Sequence, residues 1–172
     1  MKPLAERLAA AVVLVAATVG AGSAAPAPAA SAAPSLFVVA DSVGLSAKDA
    51  IPRAFGGWNV TEVGRPAVFT DVAVTDYVAP AGVLPEVAVV ATGYNYPFWD
   101  PDRFDRSVDA MVDALVARGV RHVVWVTLRE VKAQYISASA WAQVQPYYWY
   151  FPTVNQHLRA ALARHRELVL AD

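Results

Sequence analysis

Short apolar runs alternate with segments of helical periodicity along most of this chain. Uncharged runs of Val, Leu and Ala, such as residues 36–40 and 87–91, are typical of strands that are buried on both faces of a sheet. Gly and Pro residues separate the runs from their neighbours and mark turns. The pattern predicts five strands, at residues 36–40, 58–63, 87–91, 120–128 and 168–171.

Helical spacing of apolar residues occupies the segments between these strands. The clearest stripe runs from Phe104 to Val116. It follows Asp100 and Asp102 and stops at Gly119, as acids favour a helix start and glycine favours its end. Strand and helix alternation predicts an α/β fold with helices on both faces of a parallel five-stranded sheet. Further helices are predicted at 45–55, with an interruption at Pro52, at 67–78 and at 154–162.

Residues 1–32 have the organisation of a secretory signal peptide. A cationic start and an apolar stretch at 8–20 precede small residues, with a candidate cleavage site at 30–32 and an earlier one at 23–25. The stretch is short for a transmembrane helix, which needs about 20 apolar residues. We therefore expect an exported domain at 35–172, secreted or at the cell envelope. An uncleaved N-terminal membrane anchor is the alternative.

Composition narrows the classes of function. The 172 residues are 56% hydrophobic and 17% charged, which excludes a disordered chain. The formal net charge of -1 excludes non-specific electrostatic binding to nucleic acid. Cysteine is absent, so the chain has neither disulfides nor thiolate chemistry. Three histidines limit metal and acid–base chemistry. We expect a monomeric protein that does not bind nucleic acid.

Three residues that could take part in catalysis follow the first three predicted strands. Ser42 could be a helix N-cap, or a nucleophile whose oxyanion binds its own backbone N–H. Gly64 could simply end a strand, or it could expose a backbone N–H to a substrate. Asn95 could be a turn residue, or its side-chain amide could stabilise an oxyanion. Carboxyl ends of parallel strands share one edge of a sheet, where α/β proteins place their sites.

This ordered set resembles the SGNH (GDSL-type) hydrolase family. Residues 40–44 (Ala-Asp-Ser-Val-Gly) are similar to its first block, Gly-Asp-Ser-Leu-Ser. Gly64 matches the glycine of its second block, and residues 93–96 (Gly-Tyr-Asn-Tyr) resemble the third, Gly-x-Asn-Asp. The segment 125–130 (Trp-Val-Thr-Leu-Arg-Glu) is similar to secreted actinobacterial members. The resemblance covers essentially all of 35–172.

The resemblance implies a flavodoxin-like, three-layer α/β/α fold and an esterase, lipase or O-acyl hydrolase. Ser42 would then be the catalytic nucleophile. Its backbone N–H, the Gly64 N–H and the Asn95 amide would form the oxyanion hole. No cofactor or metal is implied.

The sequence also departs from the family pattern. Ala40 replaces the first glycine, and Tyr96 replaces the aspartate of the third block. In the family, an Asp-x-x-His block after the last strand supplies the general base and its orienting carboxylate, but here Asp172 follows that strand as the last residue. We therefore expect a domain that lacks its final helix and is inactive or nearly so. A truncation, a frameshift and a pseudoenzyme all fit.

None of the three histidines is predicted to replace the missing base. His122 lies at the start of the fourth predicted strand, which places it at the opposite end of the sheet from Ser42. His157 and His165 lie on the last predicted helix and are interpreted as structural or solvated.

Aromatic residues cluster in two segments, 94–99 and 141–151. Their rings could cover the core, or they could form a wall for an acyl chain or a sugar ring. The first segment directly follows the candidate oxyanion donor, which favours substrate contact there. The predicted substrate-binding residues are Asp41, Tyr94, Tyr96 and Trp99.

Other charged residues have simpler interpretations. Asp100, Asp102 and Asp105 could suggest calcium, but helix capping explains them better. Arg65 and Arg129 could meet a substrate anion, but surface salt bridges are the simpler role. No Gly-rich dinucleotide or phosphate-binding motif occurs.

Three functions fit these observations. The first is an exported serine ester hydrolase that acts on acyl or acetyl esters of a small molecule, lipid or glycan. The second is a non-catalytic module that binds a glycan or lipid on the same fold, motivated by the missing histidine. The third is an O-acyltransferase, since the same residues could pass an acyl group to an alcohol.

Overall fold

A computed structural model describes residues 33–130, 137–140, 142 and 150–172. Five strands form one parallel sheet in the order β2-β1-β3-β4-β5, which is the flavodoxin-like order. This confirms the predicted α/β fold class. The strands are β1 (Ser35–Ala40), β2 (Asn59–Gly64), β3 (Val87–Ala91), β4 (His122–Val126) and β5 (Leu168–Ala171).

The helices connect these strands and cover both faces of the sheet. After the last turn of α3 a π-turn continues through Val74–Val78, where the Ala79 N–H donates to the Val74 carbonyl. The helices are α1 (Ser42–Leu45), α2 (Ile51–Ala54), α3 (Thr70–Ala73), α4 (Pro101–Val116) and α5 (Phe151–Ala161).

The prediction of one helix over 45–55 is wrong. Two helices of four residues each, α1 and α2, replace it. Pro52 lies in the first turn of α2, where a helix uses no backbone N–H from that residue, so proline begins a helix there rather than interrupting one.

Side chains of alternate strand residues build two cores. Phe37 and Val39 of β1 face the core under α3, α4 and α5, which is centred on Trp125 and Phe104. Leu36, Val38 and Ala40 face the opposite core with Ile51 of α2. Both faces of β1, β3 and β4 are buried, which explains why these strands appear in the sequence as continuous apolar runs.

Acidic residues hold α4 at its start and at its middle. The Asp100 carboxylate accepts from the Arg103 backbone N–H at 3.0 Å, so it caps the helix as predicted. Asp109 accepts hydrogen bonds from Arg164 at 2.8 Å and from His165 at 2.7 Å. His165 therefore ties the segment after α5 to α4, which agrees with its predicted structural role.

Several predictions fall outside the described residues. The signal peptide at 1–32 does, and so do Trp141 and the aromatic residues at 147–149. Among the helices that the structure does describe, none combines the length and apolar character needed to cross a membrane.

Candidate active site

The carboxyl ends of β1, β2 and β3 meet at one level. Ala40, the last residue of β1, is in register with Gly64 on one side and with Ala91 on the other. The chain passes from β1 outward to β2 and then returns across β1 to β3, which makes this edge the topological switch point of the sheet. The first three predicted site segments therefore converge where α/β proteins bind their ligands.

Ser42 is the first residue of α1 and is exposed. The N-cap of this helix is Asp41, whose carboxylate accepts from the Val43 N–H at 3.0 Å. Capping is thus the role of the preceding residue, and Ser42 presents its hydroxyl at the edge of the sheet. Its backbone N–H, in the first turn, has no acceptor within the helix.

Asp41 links the turn after β1 to the loop after β3. It is fully buried. Its two carboxylate oxygens accept from the Val43 N–H and, at 3.1 Å, from the Tyr94 N–H. Its own N–H donates to the Ala91 carbonyl at 3.1 Å. Both oxygens serve the backbone, so Asp41 is a positioning residue, in place of the substrate contact predicted for it.

Burial raises the pKa of Asp41 above its ordinary value, although the backbone N–H groups around it act in the opposite direction. A raised pKa in the folded state means that ionisation stabilises the unfolded chain more than the folded one. The contribution of Asp41 to the free energy of unfolding is therefore complete in acid. It is lost as pH rises from about 4 through the raised pKa.

We expect Asp41→Asn to slow any reaction at Ser42 several-fold. An amide offers one acceptor oxygen, so its NH₂ group would face the N–H of Val43 or Tyr94, and one buried donor would lose its partner at a cost of about 1–3 kcal/mol. Urea unfolding of both proteins between about pH 3 and pH 7 measures how the difference in their stability depends on pH. The stability of the wild type relative to Asp41→Asn should fall as pH rises, and a constant difference would contradict it.

Gly64 ends β2 with a backbone that other residues rarely adopt. Its φ is +148°, and a Cβ atom there would lie 1.9 Å from the Ala40 carbonyl oxygen. Glycine is thus required for β2 to approach β1 at this level. The same closeness places the Gly64 backbone beside the turn that carries Ser42.

Asn95 is half-buried in the loop after β3. Its Nδ2 donates to the Val68 carbonyl at 3.1 Å, which ties this loop to the one after β2. A side-chain amide nitrogen carries two hydrogens, so one fixes the side chain and the second can serve a ligand. The loop is held from both sides, by Val68 through Asn95 and by Asp41 through Tyr94.

Tyr96 lies in the core rather than facing solvent. Its hydroxyl is 3.3 Å from His157 Nε2, and His157 Nδ1 is 3.0 Å from Asp105 Oδ1. Burial raises the pKa of Tyr96, as do the charges of Asp105 and Asp102. Tyr96 thus anchors the loop from below. This placement favours the core-covering role over the predicted substrate contact, and it assigns His157 the structural role predicted for it.

No local pattern indicated this Asp105–His157–Tyr96 chain. The three residues are 61 positions apart at their widest, and no short spacing relates them. Gly44 is a second position that sequence reasoning missed. A Cβ at Gly44 would lie 2.7 Å from Ala40 Cβ and 2.9 Å from Ala91 Cβ, so α1 can pack on the strand ends only through glycine.

The remaining aromatic residues of the first segment divide between core and solvent. Tyr94 is half-buried; its hydroxyl accepts from the Arg129 N–H at 3.1 Å, and its carbonyl accepts from Tyr150 at 2.7 Å. Trp99 is 60% exposed and Phe98 56%. Trp99 is thus the predicted substrate-binding residue that is open to a ligand.

Arg65 and His122 lie where the sequence predicts them. Arg65 pairs with Asp76 at 3.6 Å on the surface. His122 begins β4 in register with Val87, at the amino end of the sheet and opposite Ser42. Within the described part of the chain, no group of three or more His, Asp or Glu side chains could hold a metal ion. Asp172, which follows β5, accepts from Thr127 Oγ1 at 3.0 Å.

Comparison with known proteins establishes the fold. No protein-family model matches the chain, and no curated protein sequence does. Among solved structures, the C-terminal catalytic domain of peptidoglycan O-acetyltransferase A (OatA) from Streptococcus pneumoniae, with a methylsulfonyl adduct, superposes with a TM-score of 0.56 and 22% identity. That match covers 83% of this chain and 70% of the other.

TesA matches with a TM-score of 0.50 and 15% identity, over 79% of this chain and 76% of its own. A weaker likeness, to the psychrotrophic esterase EstA from Pseudoalteromonas sp. inhibited by monoethylphosphonate, has a TM-score of 0.42, 11% identity and coverage of 79% and 76%. At these identities the first two matches establish a flavodoxin-like α/β fold.

Proposed function

We propose that this chain is an ester-processing serine enzyme of SGNH/GDSL type, acting on acyl or acetyl esters. The observation that carries the proposal is the register of Ala40 with Gly64 and Ala91, which brings three strand ends to one level. Ser42 is then the nucleophile. The Ser42 and Gly64 N–H groups and the Asn95 amide are the proposed oxyanion donors.

The chemistry follows from these roles. Ser42 Oγ attacks the ester carbonyl carbon, and the carbonyl oxygen becomes an oxyanion held by the three N–H donors. The serine proton passes to a general base, which none of the three histidines of this sequence supplies. The tetrahedral intermediate then collapses, the leaving alcohol takes the proton, and an acyl-serine forms. Water, activated by the same base, releases the acid and restores Ser42.

The general base is not assigned to His157 or His165. Both ring nitrogens of each histidine already face partners other than Ser42. His157 lies between Asp105, at 3.0 Å, and the buried Tyr96 hydroxyl, at 3.3 Å, and His165 lies between Asp109, at 2.7 Å, and Asp113, at 3.9 Å. In the family that this chain resembles, the base comes from the Asp-x-x-His block after the last strand.

Acyl transfer is the second candidate function. An alcohol that reaches the acyl-serine ahead of water receives the acyl group, with no change in the residues of the site. The likeness to a peptidoglycan O-acetyltransferase favours this alternative. Product analysis with an acetyl ester and a sugar acceptor separates the two, because only transfer yields an acetylated sugar.

Export is part of the proposal, because residues 1–32 have a signal-peptide pattern. The substrate would then lie outside the cytoplasm, as an extracellular or cell-envelope ester. N-terminal sequencing of the protein recovered from the culture medium tests it, with cleavage expected near residue 32.

A fluorophosphonate probe tests the serine chemistry. We expect the folded chain to react at Ser42, in the tryptic peptide that ends at Lys48. Ser46 lies in the same peptide, is exposed and donates to the Val43 carbonyl at 2.6 Å, so fragment spectra compare an activated serine with an ordinary one. Reaction at Ser46 in place of Ser42 would refute the proposed nucleophile. No reaction in the folded protein would favour the inactive or non-catalytic form that the missing Asp-x-x-His block predicts.

A further inference from the structure

Three aromatic rings form a continuous surface at the carboxyl edge of the sheet. Trp99 makes edge-to-face contacts with Phe69, at 5.9 Å between ring centroids, and with Phe98, at 5.0 Å. Trp99 is 60% exposed and Phe98 56%, while Phe69 is half-buried. We call Phe69, Phe98 and Trp99 the aromatic shelf. Single exposed rings are common on proteins, but adjoining ones mark a binding surface.

The aromatic shelf adjoins the proposed oxyanion hole. Phe69 directly follows Val68, whose carbonyl holds the Asn95 amide at 3.1 Å. Trp99 lies four residues after Asn95 in the same loop. The shelf therefore spans the loop that follows Gly64 at the end of β2 and the loop after β3, which carries Asn95.

Charged groups behind the shelf hold it in place. The Arg103 guanidinium lies 4.9 Å from the centroid of the Phe69 ring, a cation–π contact. Its Nε and Nη2 donate to the two carboxylate oxygens of Asp71 at 2.8 and 3.1 Å. A fork of this kind fixes the plane of the guanidinium, so the ring stacked on it is preorganised before any ligand binds.

The shape of the shelf distinguishes between two ligands. A long acyl chain gains most where apolar atoms surround it, because its transfer from water scales with the apolar area that is buried. The two outer rings of the shelf, Phe98 and Trp99, are more than half exposed, so a ligand stacked on them keeps contact with water. A pyranose ring has one face of C–H groups and a rim of hydroxyls. It can stack that face on the electron-rich face of an aromatic ring and keep the hydroxyls in water.

We propose that the aromatic shelf binds a pyranose ring of a glycan that carries the ester. The inference rests on the proposed function and extends it to the substrate class, an O-acylated polysaccharide or oligosaccharide. Trp99 supplies the main stacking surface, and Phe69 and Phe98 hold its orientation.

Calorimetric titration of the full chain with the pentasaccharides of N-acetylglucosamine, glucose and xylose tests the shelf without any need for turnover. We expect at least one of them to saturate the wild type. Trp99→Ala should weaken that affinity at least tenfold, while Trp99→Phe retains most of it. Val83→Ala is the control, because Val83 is a 93% exposed apolar residue before β3, away from the site. No binding by any of the three, or equal binding by Trp99→Ala, would overturn the inference.

Two further measurements separate this inference from the proposed function. Fluorophosphonate reaction at Ser42 without Trp99-dependent glycan binding would refute the shelf and leave the serine chemistry standing. Trp99-dependent glycan binding without reaction at Ser42 would support the shelf and refute the serine chemistry.

Hydrolysis of 4-nitrophenyl acetate and 4-nitrophenyl decanoate tests whether the shelf contacts the acyl chain. Trp99→Ala should affect both esters equally, and a selective loss with the decanoate would assign the shelf to the acyl chain and overturn glycan binding.

Discussion

Ser42→Ala should abolish fluorophosphonate labelling of the chain, and should abolish ester hydrolysis in a version extended by an Asp-x-x-His block, while leaving the fold unchanged. The variant removes the only atom proposed to bond with the acyl carbon. Loss of a serine nucleophile lowers turnover by roughly 10⁴-fold or more in serine hydrolases. Ser42 is exposed and Asp41 caps the helix, so we expect the free energy of unfolding to change by less than about 0.5 kcal/mol.

Ser46→Ala is the matched control for this experiment. Ser46 is the C-cap of α1 and is exposed, as Ser42 is. Its hydroxyl donates to the Val43 carbonyl, and it has no proposed role in the reaction. It should retain the rate of the wild type. Equal activity in Ser42→Ala and wild type, in a preparation where unfolding curves coincide, would show that Ser42 is not the nucleophile.

Gly64→Ala should destabilise the protein by about 3 kcal/mol or more, in the range of severe backbone and packing defects. The new methyl group would lie 1.9 Å from the Ala40 carbonyl oxygen, and a φ of +148° adds strain for a residue with a side chain. Because Gly64 and Ala40 are paired in the sheet, relief requires β2 to move away from β1. The variant should therefore also lose reactivity at Ser42.

Alanine substitutions at two other glycines distinguish the cost of backbone strain from the cost of a steric clash. Gly57 has a φ of +87°, but a methyl group added there would meet no atom within 4 Å. A methyl group added at Gly82 would also meet no atom within 4 Å. Gly57→Ala should cost about 1 kcal/mol from backbone strain alone, and Gly82→Ala should be close to neutral. Urea unfolding of the three variants measures the order. A loss for Gly64→Ala no larger than for Gly57→Ala would contradict the close approach of β2 to β1.

The strands were predictable because each is a local pattern. β3 and β5 coincide with the predicted runs at 87–91 and 168–171. In β3, burial on both faces leaves no room for polar residues. β4 is shorter than the predicted 120–128, because Val120 and Leu128 are apolar for packing in the core beyond the ends of the strand. The long helix α4 was equally clear, from its stripe and its cap.

The candidate site was predictable only in part. The motif residues Ser42, Gly64 and Asn95 were identified from their order at successive strand ends, and the sheet register brings those ends together. Asp41 and Tyr96 were expected at the substrate, yet one is fully buried on backbone amides and the other packs in the core. Side-chain direction at a strand end depends on the neighbouring loop, which local sequence does not specify.

The sequence by itself determined the number and type of elements, the parallel sheet and the edge at which chemistry is expected, because these depend on periodicity and on residues close in the chain. Tertiary structure alone decided which residues meet. Asn95 reaches Val68 across 27 positions, Tyr94 reaches Asp41 across 53, and Tyr96 reaches His157 across 61. Such contacts arise when distant strands align, so they are properties of the folded sheet and have no counterpart in any short stretch of sequence.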